Sequence, residues 1–345
     1  MKRRSILASS LLFALSLSMT VGCSNPTTES KAPSAPKAGA VKMGYSSWPG
    51  YLPWQVTQVK EIFAANKVDV NLQWFVDFPK SMQLFNTSEL DANNAPLTDI
   101  VISLASGKDL VIVLTNDNST GSDQIIVSDK IKSIRDLKGK KVATEFGGVD
   151  HFLLAQALKK AGMTFKDINL VKLETSKAAA AFAAGEVDAA AVYAPFTTTA
   201  LKRKGSRELF SSSNFPGSIS DHLVFDRKFV NANPEKVQAI VDSWFDTLAY
   251  INTDKNKDEV NATIAKRMGV SVAEYKDSLQ GLKTFTVEDN IQSFSSGNDN
   301  TYLANSAVDV SKFLVENGII KTKVDTSKLF DDRFVKAHVA KKLAR

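Results

Sequence analysis

An α/β fold in two lobes is what this sequence predicts, on three observations. Short apolar runs alternate with segments of helical period from Val41 to Val192, the pattern of lobes built on mostly parallel sheets. About 300 residues stand beyond a polar N-terminal stretch, enough for two separate cores. After Asp221 the alternation gives way to helical patterns alone. Taken in order, strands are expected at 41–44, 68–75, 110–114, 124–128, 141–144, 170–173 and 188–192, where β-branched and aromatic residues gather between turn formers. Helices are expected between them at 53–65, 80–86, 98–105, 150–161 and 176–184. Five more follow at 234–251, 254–268, 272–281, 286–293 and 302–317, several opened by Asn, Asp or Pro. A break near Ser128 and a return near Ser218 assign residues 41–128 with 219–345 to lobe 1, and 129–218 to lobe 2.

Residues 1–22 have the layout of a signal peptide. Lys2, Arg3 and Arg4 form a basic start, and 6–17 is an apolar run too short to span a bilayer. Small residues then lead into Gly22-Cys23, which resembles the lipobox of bacterial lipoproteins. Cys23 is expected to be acylated, with 23–40 as a flexible Ser/Thr/Pro/Lys/Ala tether holding the protein to a membrane. Cys23 is the only cysteine, so disulfides and cysteine-based metal or redox sites are excluded. The net charge of +6 is terminal in origin: three positives lie in the leader and five in the last thirteen residues, leaving about −2 for residues 24–332. A nucleic-acid-binding body is excluded on that balance. The basic C-terminus reads as a solvated helix end.

The stretch LKGKKVATEFGGVDHFLL (137–154) carries the most information. A turn at 138–140 feeds a short strand, Gly147 and Gly148 break it, and a helix begins near Asp150. Such a joint presents backbone N–H groups at a helix N-terminus to whatever sits above it. Yet Glu145 and Asp150 place carboxylates where an anion would be received.

SIRDLKGKKVATEFGG (133–148) resembles the "ADLKGKKVAV…G" joint of periplasmic solute-binding proteins of the nitrate/sulfonate/taurine type, which are related to thiamine-precursor binders. AAGEVDAAAVYAPF (183–196) resembles their "GEVDAAVVWEPF" segment. MGYSSWPGYLPWQVTQVKEIF (43–63) resembles their opening strand, loop and helix, and SELDANNAPLTDIVISLASGKDLVIV (88–113) their "GELDIG" stretch. Four motifs stand in the family's order between Val41 and Ala232. The resemblance implies the two-lobed type II periplasmic-binding-protein fold with the ligand cleft between lobes. It also implies one small-molecule solute, a cognate ABC permease as partner, a monomer, and no enzymatic chemistry, cofactor or metal.

In that topology ligands sit beyond the C-terminal ends of the strands. Seven segments then face the cleft: 46–54, 77–83, 93–99, 116–123, 145–152, 193–199 and 218–222. They hold Asp77, Asp99, Asp117, Asp123, Glu145, Asp150 and Asp221, and Lys80 as their one Lys or Arg. A nitrate or sulfonate site should offer Arg, Lys or unoccupied helix N-termini. Carboxylates beside the aromatic faces of Trp48 and Tyr193 suit a small cation instead. The "GY…WPG" opening (44–50) also resembles family members encoded near urea- and guanidine-degrading enzymes. The ligand-binding candidates are Trp48, Asp77, Asn94, Asp117, Asp123, Glu145, Asp150 and Tyr193, with Asp77 first and Glu145 second among the carboxylates.

The expected solute is nitrogen-containing, cationic or neutral, guanidine- or urea-like. The alternatives are nitrate, an aliphatic sulfonate or taurine, or a thiamine-pyrimidine precursor, and beyond these a membrane-anchored ligand sensor. Several candidates also have structural readings. Asp150 can cap its own helix, Asp117 and Asp123 can be turn chemistry in NDNSTGSD, and Trp54 can be core. Of the three histidines, His151 and His222 could face one another across the cleft, while His338 lies in the tail; HExxH, CxxC, GxSxG and Walker A patterns are absent.

Overall fold

The computed structural model describes residues 39–76 and 78–344. The expected signal peptide, Cys23 with nearly all of its tether, and Asp77 lie outside the described residues. In chain order the strands are β1 (Val41–Ser46), β2 (Val70–Phe75), β3 (Ala92–Pro96), β4 (Leu110–Ser119), β5 (Asp123–Ser128), β6 (Lys141–Thr144), β7 (Asn169–Lys172), β8 (Ala189–Tyr193), β9 (Ser206–Ser211), β10 (Ser220–Asp226) and β11 (Leu282–Thr284). They form two sheets, one per lobe. The first runs β11-β4-β10-β3-β1-β2 and the second β7-β6-β8-β5-β9. In each, a parallel group (β3-β1-β2; β7-β6-β8) meets antiparallel strands that carry the chain between lobes.

β5 pairs with β8 and β9, so the chain crosses to the second sheet at residues 120–122. That is earlier than the expected boundary at 128/129, which left β5 in lobe 1. The reason lies in β4. Its first half, Leu110–Leu114, is apolar, but the strand continues through TNDNS with all ten residues buried. This polar half is bonded in part: Asn290 Oδ1 accepts from the Thr115 amide (2.8 Å), and the Asn118 side-chain amide donates to Ile219 O (2.6 Å), whereas the Asn116 side chain and Asp117 Oδ2 are buried without a partner among the described residues. Such unmatched groups cost stability.

The first lobe packs its sheet under helices that include Pro53–Val59 and Pro234–Ile251, around Trp54 and Trp244, whose ring centroids are 4.6 Å apart. The helix expected at 53–65 is two pieces, broken where Glu61 takes a left-handed φ of 54°. In the second lobe the Ala-rich helix Thr175–Ala184 lies against β6 and β8, where Ala143, Ala178, Ala179 and Ala190 let backbones approach closely. The basic tail forms the helix Arg333–Leu343 and is docked, not simply solvated: Phe334, Val335 and His338 are buried, and His338 Nδ1 lies 2.8 Å from Asp242 Oδ1. No helix among the described residues is long and apolar enough to cross a membrane.

Candidate functional site

A cavity of about 30 Å³ opens where strand ends of the two lobes converge. From the first lobe come Ser46 at the end of β1, Trp48 and Tyr51 in the following loop, Phe78, Pro96, Asp99, Ile219 and Asp221. From the second come Asp123, Glu145, Gly148, Val149, Asp150, Thr175 and Tyr193. Five carboxylates line it, and the described lining contains no Lys, Arg or His. Lys80, the single base in the expected cleft segments, is exposed and bonds Gln83 instead.

Three helix N-termini point into this region, and each already has a carboxylate. Asp99 stands in the first turn of Leu97–Ala105 and Asp150 in the first turn of Val149–Lys160. Glu145 Oε2 accepts from the backbone amide of Thr175, the first residue of Thr175–Ala184 (3.2 Å). Each N-terminus that could attract an anion therefore has one of the protein's own acids beside it, which offsets the partial positive charge while that acid is ionised.

The carboxylates are buried and held in unusual states. Burial raises Asp99 to about 7, with the charge of Glu145 adding to the effect. Burial raises Asp117 and Asp123, which interact; Trp48 and Ser119 respectively oppose it. Asp150 is pushed well up by burial and then by Asp123, while its bond to Thr175 acts against this. Asp221 is pushed well up by burial and then by Asp117, although Tyr51 donates its hydroxyl to Asp221 Oδ1. Buried oxygens Asp123 Oδ2 and Asp150 Oδ1 have no hydrogen-bond partner among the described residues. Unmatched carboxylate oxygens in a cavity wall invite a donor.

The aromatic walls are ordered by contact. Trp48 and Tyr193, from opposite lobes, meet edge to face with centroids 5.8 Å apart. Trp48 Nε1 donates to Asp117 Oδ1 (3.1 Å), and the other Asp117 oxygen lies against Gly50, where a Cβ would come within 1.8 Å of it. Gly50 is thus required for close approach.

Of the candidates, Trp48, Asp123, Glu145, Asp150 and Tyr193 line the cavity. Asp117 does not: it is fully buried behind Trp48 and orients that indole. Asn94 does not either; its amide donates to Gly44 O and its oxygen accepts from Trp54 Nε1 (2.9 and 2.8 Å), so it is a structural clamp between β3, β1 and the following helix. Asp150 is not a helix cap, since Gly148 occupies that position and Asp150 bonds Thr175 Oγ1 at 2.9 Å. Trp54 is core. His151 and His222 do not face one another: His151 packs among Phe146, Phe165 and Phe313, and His222 bonds Thr115 and Ser220. Thr175 went unrecognised, although a residue opening a helix just after β7 stands where strand-end ligands are met. Asp99, Asp221, Tyr51 and Phe78 stood in the expected segments without being singled out.

Two α/β lobes with a small polar cavity between their strand ends define a solute-binding protein. The chain belongs to the NMT1-like family, whose model matches residues 34–265. It is 29 % identical over 254 residues to a protein of Escherichia coli (strain K12) provisionally named an aliphatic sulfonates-binding protein, covering 71 % of this chain and 77 % of that one. It is 23 % identical over 293 residues to the taurine-binding periplasmic protein of the same organism, covering 82 % and 89 %. Among solved structures it superposes on the periplasmic aliphatic sulphonate binding protein SsuA from Escherichia coli with a TM-score of 0.70 at 24 % identity, covering 85 % and 92 %; this likeness establishes the fold. The chain is a solute-binding protein of the nitrate/sulfonate/taurine type, the class that serves ABC importers.

Proposed function

We propose that this protein captures a small cationic or strongly hydrogen-bond-donating nitrogen compound, guanidinium- or urea-like, and delivers it to a cognate ABC permease. The carrying observation is the cavity lining: among the described residues five carboxylates and no Lys, Arg or His, with an acid beside each of three helix N-termini. Size agrees. A cavity of about 30 Å³ has room for a small solute. Acylation at Cys23 and life on the outer face of a membrane complete the reading.

The second reading is a taurine-, sulfonate- or nitrate-type solute, which the names of the relatives favour. Taurine carries an ammonium group that the carboxylates suit, but its sulfonate would find hydroxyls such as those of Ser46, Thr175 and Tyr193 and no Lys, Arg or His among the described lining residues. Calorimetric titration of the purified chain with guanidinium, urea, taurine, nitrate and a thiamine-pyrimidine precursor separates the readings. Guanidinium or urea should bind; tight binding of nitrate or a sulfonate without any response to cations would sink the acidic-cleft reading.

A further inference from the structure

Two carboxylates converge on one hydroxyl. Thr175 Oγ1 lies 2.9 Å from Asp150 Oδ2 and 3.2 Å from Glu145 Oε2. A threonine hydroxyl has one hydrogen to donate and otherwise only accepts. It can make one full hydrogen bond to an ionised carboxylate; the second contact becomes a full hydrogen bond rather than a share of the same hydrogen when that carboxyl carries a proton and donates it to Oγ1. Glu145 Oε2 also accepts from the Thr175 amide, a bond that favours its ionised form. Asp150 is the more deeply buried of the two, 1 % exposed, and its other oxygen has no partner among the described residues. The proton belongs on Asp150.

We propose that the ligand-free cleft stores a proton on Asp150, bridged through Thr175 to Glu145, and that a guanidinium-type cation enters in exchange for it. The exchange rests on the cationic reading above. The acid O–H bond breaks, its proton passes to solvent, and the carboxylate so formed accepts an N–H of the cation. One positive charge leaves as one arrives, so the buried site never holds a cluster of uncompensated carboxylates.

The carboxylates facing Asp150 act in one direction, with the Thr175 bond opposing them. Asp123 faces it from β5, Glu145 from the loop after β6, and Tyr193 from the end of β8, all lining the same cavity. Asp99 and Asp221 line the same cavity from the other lobe. The nearest cations are not in the cluster: Lys172 Nζ sits over the Phe146 ring at 3.5 Å, and the neighbouring His151 is packed among phenylalanines and kept neutral by burial, down to about 4. With no Lys, Arg or His among the described lining residues, neighbouring acids favour retention of a proton until a cation arrives.

The test is titration of the purified protein with guanidinium chloride in two buffers of different ionisation heat, repeated across pH. Guanidinium stays charged throughout, as an arginine side chain does. Expected is release of up to about one proton per ligand bound near neutral pH, with affinity rising by up to ~10-fold per pH unit on the acid side and levelling above. Asp150→Asn should bind more weakly and lose most of that release. Guanidinium binding without proton release, with proton uptake, or with a release that Asp150→Asn leaves intact would overturn the exchange while the cationic reading stands. No binding of guanidinium at any pH overturns both.

Discussion

At the scale of single residues, charge sign separates the two ligand classes. Asp123 is 1 % exposed, lines the cavity and has one oxygen without a partner among the described residues. If it receives a cation's N–H, Asp123→Asn should weaken guanidinium binding by about 1.5–3 kcal/mol, the range of a charge-assisted hydrogen bond. For an anionic solute the same change removes a repulsion and tightens binding, so one titration gives opposite signs for the two readings. Gly50 gives a second residue-level expectation. A Cβ there would come within 1.8 Å of the Asp117 oxygen, so Gly50→Ala must displace Asp117 and release Trp48 Nε1 from it. Indole fluorescence should shift and affinity should fall by about 10-fold or more, since misplacing a positioning group is felt at the ligand. Unchanged fluorescence and affinity would remove Trp48 from the ligand's wall.

At the scale of elements, the cleft is built from helix starts that are already occupied. Glu145 accepts from the N-terminal amide of Thr175–Ala184, the work of a helix cap performed from a neighbouring loop. Glu145→Ala should therefore destabilise the protein by about 0.5–2 kcal/mol in denaturant unfolding, even without ligand; no change would mean that the bond contributes nothing to the helix. The strand–loop–helix joint at 141–160 was legible because its signals are local: β6 runs Lys141–Thr144 as expected, and after Gly148 the helix begins at Val149, one residue before the expected start. β3 and β10 were illegible for a physical reason. ANNAP and the SDH opening of β10 read as loop, and they are strands because tertiary partners satisfy them, Asn94 by Gly44 and Trp54, and His222 by Thr115 and Ser220. The same long-range bonding makes Asn94 a clamp and Asp117 a support for Trp48, roles that segment position alone cannot reveal. Acid at the strand ends was readable; which acid faces the cavity depended on which partners the fold supplied.

At the scale of the whole molecule, a cleft of buried acids should leave its mark on stability. Asp99 is raised to about 7 by burial, and Asp117, Asp123, Asp150 and Asp221 are raised by the same cause. Unfolded, each titrates near ~3.9. Between those values the folded chain holds protons that the unfolded chain has lost, so rising pH favours unfolding, by roughly 1.4 kcal/mol per pH unit for each proton of difference. The buried histidines act in the opposite sense. His151 and His222 are lowered by burial to about 4 and about 3, so their contribution is present above the unfolded histidine value and lost as pH falls toward those folded values. Below about 6.5 the two effects oppose; above it only the carboxyls still titrate. The ligand-free protein should therefore melt at a lower temperature at pH 7.5 than at pH 6.5, in matched ionic strength. Saturating guanidinium should shrink that fall, because a bound cation keeps the carboxylates ionised in the folded state and removes the proton difference. A melting temperature that is flat or rises across this window in the free protein would mean that the cleft carboxyls are already ionised, and the acidic site would then need a resident counter-charge.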